Sequence, residues 1–262
     1  MSEPAIRFED GAAYERGMGR WSRLAGEIFV DWLAPPAGRR WVDVGCGSGA
    51  ISELLYQRCA PAEVQGVDPS SAQLAFARER PGAKDAVFQI GDAMALPFAN
   101  DRFDAAVMAL VIFFVPDPAK GVAEMARVVR PGGTVAAYAW DMAGGGFPWD
   151  QVRAALRDVG IAPLSPPSVA ASRMDALRDL WAGAGLRSVE TREITVQRSF
   201  ADFDEYWTMS TGAGSIRPTV AAMPRGDVER LKQLVRARLP VDASGRITYS
   251  ARANAVKGYV VR

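Results

Sequence analysis

Apolar positions along the chain follow two alternating periods. Trp21, Leu24, Ile28 and Trp32 recur at helical spacing and mark one face of a helix that ends before Pro35-Pro36. Trp41 to Val44 is a short, mainly apolar run stopping at Gly45, which predicts a buried strand. Ala50 to Cys59 returns to the helical period, with Ile51, Leu54 and Leu55 inward. Val64 to Val67 predicts a second strand and Ser70 to Arg80 a second helix, where Ser70 and Gln73 have capping-box spacing. Ala86 to Ile90 and Phe103 to Leu110 predict a third and fourth strand. Asp117 and Pro118 suit the N-cap and first turn of a helix that buries Val122, Met125 and Val129 and stops before Pro131-Gly132-Gly133. Thr134 to Trp140 is the fifth strand.

Strands alternating with helices, and no hairpin signal between strands, predict a doubly wound α/β fold with a parallel sheet. Right-handed crossovers put the loops after the strands on one edge, where ligands bind. The second half is less regular. Pro148 to Val159 and Ser172 to Ala184 read as helices stopped by Gly160 and Gly185, with a loop at Pro163 to Ser168. Leu186 to Arg198 reads as a strand, Ala201 to Met209 and Asp227 to Leu239 as helices, and Ile247 to Val261 as a last strand. The expected organisation is one domain over 1–262. Residues 1–37 form a helical cover and 38–140 the ligand-binding core. Residues 186–198 and 247–262 add two strands to the sheet, and 141–185 and 199–246 are helical insertions over the binding edge. The insertions carry Phe200, Phe203, Tyr206 and Trp207 toward a lid, with 212–215 as its flexible segment.

Composition narrows the function. Apolar residues are 49% and charged residues 23%, enough to bury a core and too apolar for a disordered chain. The net charge of +1 gives no electrostatic footprint for nucleic acid or an anionic membrane. The longest apolar run, Ala105 to Val115, is too short to span a bilayer, which needs ~20 residues. Met1 to Asp10 lacks the apolar stretch of a signal peptide, and two cysteines make no disulfide framework, so a reducing cytoplasm is expected. The chain has no histidine, which removes imidazole bases, Ser-His-Asp triads and histidine metal sites. No metal site is expected.

Candidate chemistry sits after the strands. Gly45, Gly47 and Gly49 follow the first one in Asp43-Val44-Gly45-Cys46-Gly47-Ser48-Gly49, and alternating glycines let a ligand lie against the backbone. They would also serve a tight strand–helix turn, and Gly45, Gly47 and Ala50 fit a dinucleotide pattern. Asp43 discriminates: a carboxylate at that strand end repels a pyrophosphate and suits an ammonium group. Asp68, ending the second strand before Pro69, can accept both hydroxyls of a ribose. Asp92, in Gly91-Asp92-Ala93 after the third strand, can accept from an adenine amino group while the next N–H donates to the ring. Together they suggest adenosine with an amino-acid tail.

These segments resemble a class I S-adenosylmethionine-dependent methyltransferase of the ubiquinone/menaquinone-biosynthesis branch. The resemblance rests on the glycine loop, Gly66-Val67-Asp68, Gly91-Asp92-Ala93-Met94-Ala95-Leu96-Pro97-Phe98, Phe103-Asp104-Ala105 and Arg130-Pro131-Gly132-Gly133. It implies a Rossmann-like seven-stranded sheet, six strands parallel and the last antiparallel, with S-adenosylmethionine as cofactor and S-adenosylhomocysteine as product. By that likeness the cofactor would be bound by Asp43, Gly45, Cys46, Gly47, Asp68, Pro69, Asp92, Ala93 and Leu110. Tyr14 and Arg20, in an upstream segment also similar to this branch, would lie across it. Phe113, Phe114, Trp140, Tyr206 and Trp207 are candidate substrate contacts. Many relatives carry a polar or imidazole side chain where this chain has Phe113-Phe114, which removes a candidate base and points to an apolar or aromatic small-molecule acceptor. A nicotinamide-dependent oxidoreductase and a non-catalytic S-adenosylmethionine-binding protein are the alternatives. The acceptor, catalytic residue and oligomeric state are not legible.

Overall fold

The computed structural model describes residues 15–212 and 216–261. Seven strands form one sheet: β1 (Arg40–Val44), β2 (Glu63–Asp68), β3 (Val87–Ile90), β4 (Phe103–Ala109), β5 (Val129–Trp140), β6 (Arg187–Phe200) and β7 (Ile247–Tyr259). Their order is β3-β2-β1-β4-β5-β7-β6. The first five pair in parallel, and β7 runs antiparallel to both β5 and β6, as the resemblance implied. The sheet therefore has six strands of one direction and one reversed. The strand order turns back at β1, between β2 and β4, which makes the β1–β4 crevice a topological switch point.

The helices are α1 (Arg20–Leu33), α2 (Ala50–Cys59), α3 (Ser71–Glu79), α4 (Pro118–Val128), α5 (Asp150–Asp158), α6 (Met174–Gly183), α7 (Phe203–Thr211), α8 (Ile216–Ala221) and α9 (Arg225–Arg236). Sequence chemistry sets their ends. The Ser70 hydroxyl accepts from the Gln73 N–H, and the Asp117 carboxylate accepts from the Lys120 N–H with Pro118 in the first turn. α1 buries Trp21, Ala25, Phe29 and Val30 against the sheet, where the Tyr138 hydroxyl donates to the Ser22 carbonyl at 3.3 Å. No helix among the described residues is long and apolar enough to cross a membrane.

Three expectations change. The fifth strand starts at Val129 rather than Thr134: Phe103 pairs with Val129 and Ala105 with Thr134, so residues 130–133 loop out of register instead of ending a helix. β6 continues to Phe200, because Ser199 and Phe200 still pair with Thr248 and Ile247; Phe200 belongs to the sheet and not to an insertion. Helix α8, absent from the sequence reading, occupies six residues around Pro218 and follows directly on residues 213–215, which lie outside the described residues. Of the flexible lid segment expected at 212–215, Gly212 caps the C-terminus of α7 and the rest falls there too.

Candidate active site

The loop after β1 carries the most constrained geometry. Gly45, Gly47 and Gly49 have φ of 71°, 51° and 80°, the left-handed region that costs other residues about 1–2 kcal/mol. At Gly45 the demand is doubled, since a Cβ there would lie 2.6 Å from the Val111 methyls. The β1 and β4 loops thus touch across the switch point. Gly47 differs: among the described residues only the Gln73 side chain comes within 4 Å of its Cβ position, at 3.8 Å. Its outer face is open to a ligand. The backbone is pinned from below, with the Gly45 and Cys46 N–H groups donating to the Val67 carbonyl at 2.8 and 3.0 Å. Arg80 holds the side of the loop, donating to the Ser48 carbonyl at 2.8 Å and pairing with Glu53.

Asp68 is half-buried beside that loop. One carboxylate oxygen accepts the Gly47 N–H at 3.0 Å and the other the Ser70 N–H at 2.8 Å. Each oxygen keeps lone-pair capacity for further donors. Burial raises its pKa, against the lowering effect of those two bonds.

Asp43 is turned inward. It is 1% exposed, and one oxygen accepts the Ser52 hydroxyl at 2.8 Å while the other is buried with no partner among the described residues. Burial pushes its carboxyl up to about 7 against the Ser52 hydrogen bond, and the Asp68 charge adds to the rise. Ser52, in the first turn of α2, has no signal in the sequence that marks it as this partner.

Asp92 is exposed and accepts the Met94 N–H at 2.8 Å, shaping a turn. The rest of that loop is tied to α4: the Leu96 N–H donates to Glu124, and Arg127 donates to the Leu96 and Phe98 carbonyls. Ala93 lies half-buried in the same loop, Pro69 is exposed after β2, and Arg20 is exposed at the start of α1. Tyr14 lies outside the described residues. Leu110, at the end of β4, holds φ of 62° and donates to the Tyr138 carbonyl at 2.7 Å. A non-glycine residue in that conformation costs energy that only a fixed surrounding sustains.

The aromatic candidates separate into three places. Phe113 and Phe114 form a 3-10 turn after β4, their rings 4.7 Å apart at a steep angle, with Phe113 buried and Phe114 half-buried. Trp140 ends β5 and is 2% exposed. Tyr206 is fully buried among Trp149, Phe200 and Tyr249, while Trp207 stacks on Phe203 under Lys232. Tyr206 and Trp207 therefore lie on α7 in different surroundings. Both cysteines are free and buried, and burial pushes the Cys59 thiol up to about 11.

A family described as a methyltransferase domain matches residues 42–137. Over 115 residues the chain is 38% identical to the ubiquinone/menaquinone biosynthesis C-methyltransferase UbiE of Roseobacter denitrificans, covering 42% of this chain and 46% of that protein. It is 41% identical over 114 residues to the methyltransferase GfsG of Streptomyces halstedii, covering 42% and 41%. The chain spans less than half the length of these curated relatives. Among solved structures it is similar to phosphoethanolamine N-methyltransferase 2 of Haemonchus contortus in complex with S-adenosyl-L-methionine, with TM-score 0.59 and 17% identity over 95% of this chain and 56% of that one. It is also similar to a Thermotoga maritima S-adenosylmethionine-dependent methyltransferase, described as a possible histamine N-methyltransferase, with TM-score 0.54 and 19% identity over 94% and 93%. The matched stretch, 42–137, runs from β1 almost to the end of β5 and contains every loop at the switch point.

Proposed function

We propose that this chain, whose residues 42–137 match a methyltransferase domain family, is a class I S-adenosylmethionine-dependent methyltransferase that transfers the sulfonium methyl group to a small apolar or aromatic acceptor. The observation that carries the reading is the pairing of an open-faced Gly47 with the doubly hydrogen-bonded Asp68 at the β1 switch point. The residues present fit the cofactor. Asp68 has oxygens free to accept two ribose hydroxyls, and its geometry is preset by backbone N–H groups. The partnerless Asp43 oxygen is a buried acceptor for a cationic amino group. Asp92, exposed with one oxygen engaged by its own turn, keeps another for an adenine amino group. Leu110 and Gly45 bring the β4 and β1 loops together and narrow the crevice between them.

Bound there, S-adenosylmethionine supplies an electrophilic methyl group for in-line displacement. The chain's part is alignment and exclusion of water. Phe113 and Phe114 offer apolar surface rather than a base, and the absence of histidine leaves little general-base help. Acceptors that are already nucleophilic fit: a preionised oxygen, an amine or an electron-rich ring carbon. The acid at the β1 end, Asp43, works against the pyrophosphate of a nicotinamide dinucleotide, and that ligand leaves Asp92 without a role, so the oxidoreductase reading is not favoured. In this reading the core spans 38–140 and helical segments lie over its binding edge.

The test uses the titration of Asp43. Its carboxyl, up to about 7 in the free fold, must ionise to receive an ammonium group. S-adenosylhomocysteine affinity should therefore rise about tenfold between pH 6 and 8 and level off above. Calorimetric titration across that range measures it. A flat profile with tight binding removes Asp43 from the site, and no binding at any pH removes the reading.

A further inference from the structure

β6 points the same way as β1 to β5, so its last residues reach the edge that carries the glycine loop. Arg198 stands there, 7% exposed. Its guanidinium lies 5.5 Å from the Trp21 ring centroid and 5.1 Å from that of Phe200. Nη1 donates to the Gly17 carbonyl at 3.1 Å, but Nε is buried with no partner, and no hydrogen bond among the described residues uses Nη2. No described carboxylate pairs with it. Glu205 is within electrostatic reach, but its carboxylate accepts the Ala201 N–H, and the nearby Arg20 adds a like charge.

A buried, unpaired cation is costly, and the fold satisfies its other buried arginine. Arg153, 6% exposed, donates to the Leu164 carbonyl and the Ser165 hydroxyl. Arg198 is held by aromatic faces, which leaves its Nε edge as a two-pronged donor, the geometry that matches a carboxylate. Two more buried donors without partners belong to the same ring cluster: Trp21 Nε1 and Tyr206 Oη. Tyr206 is 5.2 Å from Phe200 between centroids, and Trp21 is 5.9 Å from Trp149.

We propose that this cluster selects the methyl acceptor: a planar aromatic acid whose carboxylate is taken by the Nε edge of Arg198. The inference rests on the methyltransferase reading and narrows its substrate class. Arg198 is a specificity residue here and takes no part in the displacement.

The experiment is calorimetry on the full chain saturated with S-adenosylhomocysteine, with 2-naphthoate and its neutral isostere 2-naphthamide as probes. The acid should bind at least about tenfold tighter than the amide. Arg198→Met, which keeps the apolar stem, should erase that preference while S-adenosylhomocysteine binding and Tm hold. Arg198→Lys, which keeps the charge and loses the fork, should retain only part of it, and decides the matter if Arg198→Met does not fold. Equal binding of the two probes, no binding of the acid at about 5 mM, or an unchanged preference in the variants overturns the proposal and leaves Arg198 as a clip for the Gly17 segment. Failure of S-adenosylhomocysteine itself to bind the native chain would instead overturn the methyltransferase reading.

Discussion

Gly47→Val is expected to fold and yet to bind S-adenosylhomocysteine at least about a hundredfold more weakly, a loss of ~2.7 kcal/mol or more. Among the described residues a Cβ at this position meets no core atom: its nearest neighbour is the Gln73 amide oxygen at 3.8 Å. Folding suffers only the strain of a β-branched residue at φ 51°, on the order of 1–3 kcal/mol. The branch fills the open face where the cofactor would lie against the backbone. Circular dichroism and thermal melting report the first effect and calorimetry the second. Normal binding by the folded variant would show that the loop is not the cradle. Gly45 cannot serve as this probe, because a Cβ there collides with Val111 and confuses occlusion with damage to the fold.

Asp68→Ala should weaken S-adenosylhomocysteine by about 10- to 100-fold, the ~1.5–3 kcal/mol expected for losing a charged acceptor. The substitution also strips an acceptor from the Gly47 and Ser70 N–H groups, so a modest fall in Tm accompanies it. Asp68→Asn separates the two effects, since its amide oxygen can still accept one N–H while the charge is lost. A 2′-deoxy analogue should bind the native chain more weakly but lose little further affinity in the alanine variant. Equal affinities for native chain and Asp68→Ala would detach this carboxylate from the ribose.

Local periodicity carried the core of the fold. α2 at Ala50–Cys59 lies where the spacing of Ile51, Leu54 and Leu55 put it, because one buried face is set within ten residues. The loops of the switch point were legible for the same reason: glycine and aspartate at a strand end are local signals. Long-range partners were not. Nothing in the sequence says that Asp43 faces Ser52, that Arg80 holds Ser48, or that the Arg198 side chain ends against Gly17 across 181 positions. Some matched motif residues turn out to serve the scaffold. Asp104 accepts the Arg40 N–H and pairs with Arg130 at 2.5 Å, which joins two of the motif segments and holds its carboxyl below the usual range against the cost of burial. β6 ran past its predicted end at Arg198 because Ser199 and Phe200 still found partners in β7, a tertiary fact. Tyr206 was placed on a lid by its neighbours in sequence; the structure buries it in a ring cluster shared by α1, β6, α7 and β7.

The Asp43 titration also bears on the protein without ligand. Its folded pKa, about 7, lies above the ordinary 3.8, so the contribution of the neutral carboxyl to stability is present at low pH and lost as pH rises through 7. A cationic group beside the ionised carboxylate offsets that loss, so S-adenosylhomocysteine should protect the fold more at pH 8 than at pH 6.

The central claim is that this sheet edge holds S-adenosylmethionine and not a dinucleotide, and thermal melting with each ligand tests it without knowledge of the acceptor. A ligand that binds only the folded state adds ~2.7 kcal/mol at a hundred times its dissociation constant. For a chain of this size that is about 5–10 °C. S-adenosylhomocysteine should raise Tm by that amount at pH 8, and oxidised or reduced nicotinamide dinucleotides should leave it unchanged. A rise with the dinucleotides and none with saturating S-adenosylhomocysteine would contradict the account.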